Sequence, residues 1–291
     1  MKIAYVVLHY MAGKDTIECA ESIIKVAAQS QHEIKIVIVD NCSTNDSLNE
    51  IKNHFVGYSE VEIIVNDKNL GFAQGNNKGF YYAKHVYGAD FIVMLNNDTI
   101  VNQMDFNEVL VEKFNSEQYY VLGPDIVTAD GYHQNPGTKQ SWTLKELRID
   151  RIKKRVRIFL SYIKIDKLLM KIRDKKSKVY RSTTLVGDVK NTILHGACWI
   201  FSSLYVAKYD GICDKTFLYM EEDILKMYAD YHGFLMMYTS DLQIYHKEDA
   251  ATDMIGGTTS KKNRRKYRNL IQSSCIYTSI KKELIRNSLS S

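Results

Sequence analysis

Proline is nearly missing from this chain: 291 residues hold only Pro124 and Pro136, both in the middle region. No internal repeat and no low-complexity linker appears, which excludes a solenoid or a string of tethered modules. Long apolar runs are missing too. None approaches the ~20 residues that a membrane-spanning helix needs. The first apolar run, Ile3 to Leu8, is too short for a signal peptide and has no small-residue cleavage site after it. It reads as a first strand. The cysteines Cys19, Cys42, Cys198, Cys213 and Cys275 are odd in number and lack metal-type spacing. Reduced thiols in a cytosolic protein are expected. A glycine fingerprint after the first strand is absent, since Leu8-His9-Tyr10-Met11-Ala12-Gly13 stands there. That excludes a dinucleotide-binding dehydrogenase. A phosphate-binding Walker loop is absent as well, which weakens an NTPase reading.

The charge is unevenly spread. Net charge is +5, but Arg148 to Arg181 carries 14 Lys/Arg against 3 Asp/Glu, or +11. Lys261 to Arg286 carries 9 against 1, or +8, so the remainder stands at −14. An acidic body with two basic segments points to an anionic partner such as a phospholipid surface or a phosphorylated acceptor. No recognition motif for nucleic acid accompanies the charge, so no nucleic-acid partner is expected.

Strands and helices alternate through the first hundred residues. Ile3–Leu8, Ile34–Asp40, Val61–Val65 and Phe91–Leu95 read as strands, with helices over Gly13–Gln29, Ser47–His54 and from the Asn69–Gly79 segment to about Tyr87. This order predicts a parallel, doubly wound sheet. Beyond it, Phe106–Phe114 reads as a helix, Tyr119–Leu122 as a strand and Gly123-Pro124-Asp125 as a turn. Asn191–Phe201 reads as a strand whose small residues admit a close neighbour. A helix opens at Glu221-Glu222-Asp223, and Phe234–Tyr245 reads as a strand ending at His246. Arg148–Ile172 is basic and amphipathic. Ile152, Val156, Phe159, Leu160 and Ile163 form one apolar stripe, with Leu168, Leu169 and Ile172 a second. Such a helix lies in a membrane interface or packs on the protein with its cations solvated. The tail from Lys261 to Arg286 reads as a basic helix.

Polar clusters fall at strand ends. Phe91-Ile92-Val93-Met94-Leu95 runs straight into Asn96-Asn97-Asp98, and ligands of open α/β sheets bind beyond the carboxyl ends of their strands. Asp40, Asn69–Asn77 and His246 are placed similarly. The plain alternatives are turn chemistry for Asn96-Asn97-Asp98, dipole-compensating acids for Glu221, Glu222 and Asp223, and a structural histidine for His246.

Four segments carry a resemblance. Val39-Asp40-Asn41-Cys42-Ser43-Thr44-Asn45-Asp46 resembles a segment of family 2 glycosyltransferases with the GT-A fold. Asn69-Leu70-Gly71-Phe72-Ala73-Gln74-Gly75-Asn76-Asn77-Lys78-Gly79 is similar to a signature of their rhamnosyltransferase-like branch. Leu95-Asn96-Asn97-Asp98 resembles that branch's Asp-x-Asp metal motif. Asp214 to Asp223 resembles its acceptor-side acidic motif.

The resemblance implies a GT-A fold: a mostly parallel doubly wound sheet with helices on both faces, a basic helical insertion and a C-terminal helix. It implies a nucleotide-sugar-binding half over residues 1–125. An acceptor-binding, catalytic half would span 126–250, with the insertion at 148–181, and the basic tail 251–291. Asp40 would read the nucleobase, favouring uridine or thymidine. Asn69, Gly71 and Asn76 would line the nucleotide pocket, with His9 and Asn97 also counted on the donor side. Asn96 replaces an aspartate that usually faces the ribose. Asp98 would hold Mg²⁺ or Mn²⁺, with His246 a second metal ligand or a diphosphate contact. Among Glu221, Glu222 and Asp223, Glu222 takes the position of the general base and Asp223 is the alternative.

The implied reaction is inverting transfer from dTDP-rhamnose, or alternatively a UDP-hexose, to a lipid-linked saccharide in surface polysaccharide synthesis. The implied location is cytoplasmic, at the inner face of the membrane, and a homodimer is compatible with it. Two competing readings are a non-catalytic nucleotide-sugar-binding subunit, which needs no base, and a nucleotidyltransferase. The latter usually has a Gly-rich loop after strand one that His9 to Asp15 does not supply.

Overall fold

Four parallel strands build the frame that carries the site. They are β1 (Lys2–His9), β2 (Glu33–Asp40), β3 (Val61–Val65) and β4 (Phe91–Asn96), in the spatial order β3-β2-β1-β4. The computed structural model describes residues 1–137, 141–162, 185–248 and 258–290. β1 is apolar on both faces because it is covered on both. Ile3, Tyr5 and Val7 enter a core with Cys19, Ala20, Ile23 and Val26 of α1 (Gly13–Ala27). Ala4 and Val6 enter a second core with Ala73 and Phe80 of α3 (Gly71–Tyr82). α3 comes close because glycines face the sheet. A Cβ on Gly79 would stand 2.4 Å from Val6 Cγ1, and one on Gly75 2.7 Å from Leu8 Cδ1. α2 (Ser47–His54) follows β2, and α3 continues as a π-helical turn over Ala83–Tyr87.

Register brings the polar strand ends together. His9 pairs with Asp40, and Leu8 with Asn96, so the carboxyl ends of β1, β2 and β4 form one rim. The sheet continues through β8 (Cys198–Phe201), β6 (Val121–Thr128), β9 (Met236–His246) and the two-residue β5 (Thr99–Ile100). β7 (Asp188–Lys190) pairs with β9. β8 runs antiparallel to both β4 and β6, whereas β9 is parallel to β6, so the sheet is mixed but mostly parallel.

Two sequence expectations need correction here. Gly123-Pro124-Asp125 is not a turn but the middle of β6. The register against β9 slips between Pro124 and Asp125, where Pro124 faces Thr239 and Asp125 faces Gln243. Proline lacks the ladder N–H and is accommodated at such an irregularity. Asn191–Phe201 is not one strand either. Only Cys198–Phe201 is, and His195-Gly196-Ala197 belongs to the loop before it.

The remaining helices are α4 (Phe106–Glu117), α5 (Leu144–Tyr162), α6 (Ser203–Lys208), α7 (Glu221–His232) and α8 (Thr259–Ser290). α5 packs on α8 through its Leu147, Arg151 and Ser161 side. Arg151 Nη1 donates to Ser274 Oγ at 3.0 Å and to Thr278 Oγ1 at 2.9 Å. The apolar stripe points the other way. Ile152, Val156 and Phe159 are 51, 50 and 64% exposed, and Ile149 extends the exposed row. α5 thus packs on the protein, as one of its two readings has it, but through the side away from the stripe, which stays exposed in the described part. Ile163, Leu168, Leu169 and Ile172 lie outside the described residues, as does most of the 148–181 insertion beyond Tyr162.

Candidate active site

The side of the rim where the resemblance implies the donor is a network of short polar side chains. Asp40, 1% exposed at the end of β2, accepts the Ser43 amide N–H at 3.2 Å. Asn41 beside it is a clamp. Its Nδ2 donates to Gly71 O at 3.0 Å and to Asn69 Oδ1 at 3.2 Å, and its Oδ1 accepts the Leu70 N–H at 2.9 Å. The loop leading into α3 thus hangs on one residue of the β2 end. Gly71 has φ +79°, and a Cβ there would stand 2.2 Å from Phe217 O, which already accepts the Phe72 N–H at 2.8 Å. Asn76 is buried and its Nδ2 bonds Phe72 O within α3, while its Oδ1 has no partner. Asn77 grips Ile212 on the acceptor side through both amide atoms, at 2.8 and 2.9 Å.

His9 sits beneath this rim, fully buried, and 3.7 Å from Asp40. Both ring nitrogens have hydroxyl partners: Ser47 Oγ lies 2.9 Å from Nε2 and Thr16 Oγ1 2.7 Å from Nδ1. Asn45 Nδ2 donates to Met11 O and Asn45 Oδ1 faces the Ser47 hydroxyl at 2.6 Å, while the Thr16 hydroxyl also has Ala12 O as an acceptor at 2.9 Å. Burial lowers the His9 pKa to about 4, outweighing the opposing pull of Asp40, so the ring is neutral near pH 7. Thr16 Oγ1 in turn accepts the Asn97 amide at 3.0 Å. His9 and Asn97 are thereby wired together behind the rim. The Asn96 side chain makes no hydrogen bond, and its backbone N–H donates to Ala197 O at 3.0 Å.

Asp98 and His246 meet across 148 residues of sequence. The antiparallel pair Thr99↔His246 between β5 and β9 brings them together, and Lys247 N–H donates to Asp98 O. His246 Nε2 lies 3.2 Å from Asp98 Oδ1. Its Nδ1 lies 2.7 Å from Gln134 Oε1. Gln134 Nε2 donates to the Glu248 carboxylate, so Oε1 must be the acceptor for a His246 Nδ1–H. His246 Nε2 then presents a lone pair to a carboxylate oxygen. Two acceptors at that distance attract only with a proton or a cation between them. This donor set fits a hard divalent metal. Among the described residues no group of three or more His, Cys, Asp and Glu side chains closes on one point. Two protein ligands suit an ion whose remaining positions are filled by phosphate oxygens and water.

The acceptor side is assembled at the start of α7. Tyr219 and Met220 precede it with φ of +76° and +71°, a left-handed conformation that side chains rarely adopt. Strain of this kind persists where the surroundings over-determine it, and it gathers at functional sites. The first turn of α7 then points three adjacent acids about 100° apart, in three directions. Glu221 turns inward, 5% exposed, and accepts from Thr216 Oγ1 at 2.9 Å. Burial, reinforced by the neighbouring Glu222 carboxylate, pushes its pKa up to about 7. Asp223 turns toward α5 and accepts the Trp142 indole N–H at 2.8 Å. Glu222 alone turns to the cleft, where Oε1 accepts the Gly196 N–H at 3.2 Å. A Cβ on Gly196 would stand 3.0 Å from that oxygen, which is the close approach that the small residues there permit.

His195 belongs to the same place and was not singled out by sequence reasoning. Its ring centroid lies 5.9 Å from that of His246. Its Nδ1 accepts the Ala197 N–H at 3.1 Å, so Nε2 carries the proton of the neutral ring. Burial lowers its pKa, against the raising effect of Glu222. Gln134 and Asn135 were missed too. Asn135 Oδ1 accepts the His195 N–H at 2.7 Å. No periodicity marks these three residues. The only available signal was the polar run His133-Gln134-Asn135 before Pro136.

A family model described as glycosyl transferase family 2 matches residues 6–176. The chain belongs to that family. The curated relative glycosyltransferase GlyG of Streptococcus pneumoniae serotype 4 (strain ATCC BAA-334 / TIGR4) is 29% identical over 156 residues, covering 53% of this chain and 49% of GlyG. The chain thus spans about half the length of that relative. Among solved structures, residues 1–349 of TarS from S. aureus align with a TM-score of 0.53 at 16% identity, over 85% of this chain and 60% of that one. GalNAc-T7 with UDP, GalNAc and Mn2+ aligns with a TM-score of 0.57 at 13% identity, over 92% of this chain and 47% of that one. At such identities the likeness shows the fold alone, and that fold is GT-A.

Proposed function

We propose that the chain is an inverting, metal-dependent glycosyltransferase that moves a sugar from a nucleoside diphosphate to a hydroxyl acceptor. The arrangement that carries this reading is the separation of roles on the rim. Asp98 and His246 present two lone-pair donors where a diphosphate-bound cation would sit, and Glu222 alone among three acids turns to the cleft. Asp40 reads the nucleobase from the end of β2, and Asn69, Gly71, Asn76 and Asn96 shape the nucleotide pocket. His9 and Asn97 act from behind, by holding the rim in place. A bound Mg²⁺ or Mn²⁺ supplies Lewis-acid stabilisation of the departing diphosphate. Glu222 takes the proton from the attacking hydroxyl. Glu221 keeps its neighbour in register and Asp223 anchors the helix start to Trp142.

The donor base is uracil or thymine. The motif resemblance favours dTDP-rhamnose. A UDP-sugar is supported by TarS, solved with UDP and with UDP-GlcNAc, and by GalNAc-T7 with UDP. The acceptor is a lipid-linked saccharide of a surface polysaccharide, reached from the inner face of the membrane. No helix among the described residues is long and apolar enough to cross a membrane. The outward stripe of α5, flanked by Arg148, Lys153, Arg155 and Arg157, supplies the attachment. A panel of nucleotide-sugars with Mn²⁺, followed by thermal shift and slow donor hydrolysis, tests the reading. Stabilisation and hydrolysis with one donor class supports it and names the donor. No response to any nucleotide overturns it.

A further inference from the structure

His246 has Asp98 at one ring nitrogen and Gln134 at the other. His246 can present Nε2 to a cation only while its proton sits on Nδ1, and a free imidazole has no strong reason to keep it there. Gln134 supplies the reason. Its amide could face His246 with either end, and the two faces have opposite effects. An amide N–H₂ would demand the Nδ1 lone pair and move the proton to Nε2, which would close the cation position. The Glu248 carboxylate removes that choice by taking the Gln134 N–H₂. Glu248 is held in the left-handed region, φ +73°, immediately after β9, so its backbone conformation is unusual for its residue type.

We infer that Gln134 is a positioning residue that fixes His246 as its Nδ1–H tautomer, with Glu248 fixing Gln134 in turn. The inference rests on the reading of Asp98 and His246 as metal ligands. The relay runs Glu248, Gln134, His246, cation position, Asp98, and it draws on three separate stretches of chain. The segment that bears Gln134 also bears Asn135, whose Oδ1 holds the His195 backbone and whose Nδ2 donates to Pro124 O at 2.9 Å. This segment therefore touches both histidines of the cleft, Gln134 at the His246 ring and Asn135 at the His195 backbone. Partners of this kind typically change metal affinity 10–100-fold when removed.

The test is Mn²⁺ binding by the full chain in the presence of UDP, read by EPR, for the wild type, Gln134→Leu and Gln134→Glu. Long-range ¹H–¹⁵N correlation of the histidine ring, without metal, reads the tautomer directly. Gln134→Leu is expected to weaken Mn²⁺ binding about 10–100-fold and to shift His246 toward the Nε2–H form. Gln134→Glu keeps an acceptor facing Nδ1 and is expected to retain the wild-type tautomer and most of the affinity. Wild-type affinity and an unchanged tautomer in a folded Gln134→Leu variant would overturn the role of Gln134 and leave the metal pair standing. Absence of Mn²⁺ binding by the wild type would overturn the metal reading itself, and this inference with it.

Discussion

Asp40, Asn41, Asn69, Gly71, Asn76 and Asn97 occupy one side of the cleft, where Asn41, Asn69 and Gly71 are held by one another. Glu222, Gly196, His195, Gln134 and His246 occupy the other, and each is held by a residue far away in sequence. The donor side follows two parallel crossovers, so its parts are local and its hydrogen bonds close on themselves. The acceptor side depends on β8, β6 and β9, whose order in space differs from their order in the chain. The first side is preorganised by topology. The second is preorganised by strain at Tyr219 and Met220, by one desolvated acid and by single amide contacts.

If that difference is real, Glu222→Gln has the largest effect and confines it to one side. A positioned general base contributes about 10²–10⁴ in rate. Transfer is expected to fall by that factor, while the nucleotide-induced thermal shift stays at the wild-type value. Loss of the nucleotide shift in this variant would show that the two sides are not separable. Full transfer activity would remove Glu222 from the mechanism.

Gly71→Ala attacks a point where the sides touch through backbone. The left-handed φ and the clash with Phe217 O together are expected to cost roughly 3 kcal/mol in chemical denaturation. Because Phe217 leads into the strained turn before α7, this variant should lose donor binding and transfer together, unlike Glu222→Gln. A variant of wild-type stability would show that the Phe217 loop yields freely and that the contact does not couple the halves.

The two sides also titrate in opposite senses. The Glu221 carboxyl is raised to about 7, so the folded state binds the extra proton and stability falls as pH rises from about 4.5 to 7. His9 is depressed to about 4, so the unfolded state binds the extra proton and stability rises with pH between about 4 and 6.5. The windows overlap and largely offset one another in the wild type. Glu221→Gln should expose the His9 limb as a stability that climbs with pH, with a span of at most about 3 kcal/mol. Denaturation midpoints at pH 4.5, 5.5 and 7 check it. A Glu221→Gln profile with the wild-type shape would mean that Glu221 is not desolvated.

The donor side was legible for the reason that makes it self-contained. Apolar runs such as Ile36–Val39 and Phe91–Leu95 announce strands buried on both faces, and a polar residue at their ends has only the rim to occupy. The Asn69–Gly79 motif is legible twice over, since Gly75 and Gly79 admit α3 against β1 while Asn69 and Asn77 tie loops. On the far side, Gly123-Pro124-Asp125 misled because turn residues and strand irregularities share the same chemistry, a missing N–H and a permissive backbone. Gln134 was invisible because a tautomer-setting contact has no period and its partner lies 112 residues away. Glu222 could be preferred over Asp223 by motif alone, but only the placement of α7 against Thr216, Gly196 and Trp142 shows which of the three acids faces the cleft.

The smallest effect on stability is expected at a third region, the outward face of α5, and it sharpens the contrast by lying outside both. Val156 and Phe159 are half or more exposed and stand opposite the side that packs on α8. Replacing both by aspartate removes no packing contact with the core, so folding should change by no more than about 0.5 kcal/mol. Activity on a soluble saccharide acceptor should stay near wild type, since neither side of the cleft is touched. Cosedimentation with vesicles containing anionic phospholipid should be lost, because the apolar stripe and the flanking cations act together and aspartate opposes both. Vesicle binding that survives the double replacement, and that also survives charge removal at Arg148, Lys153, Arg155 and Arg157, would take the membrane role away from this helix. Binding lost in the stripe variant but retained after charge removal would leave the apolar face as the anchor and make the basic flanks a matter of solubility.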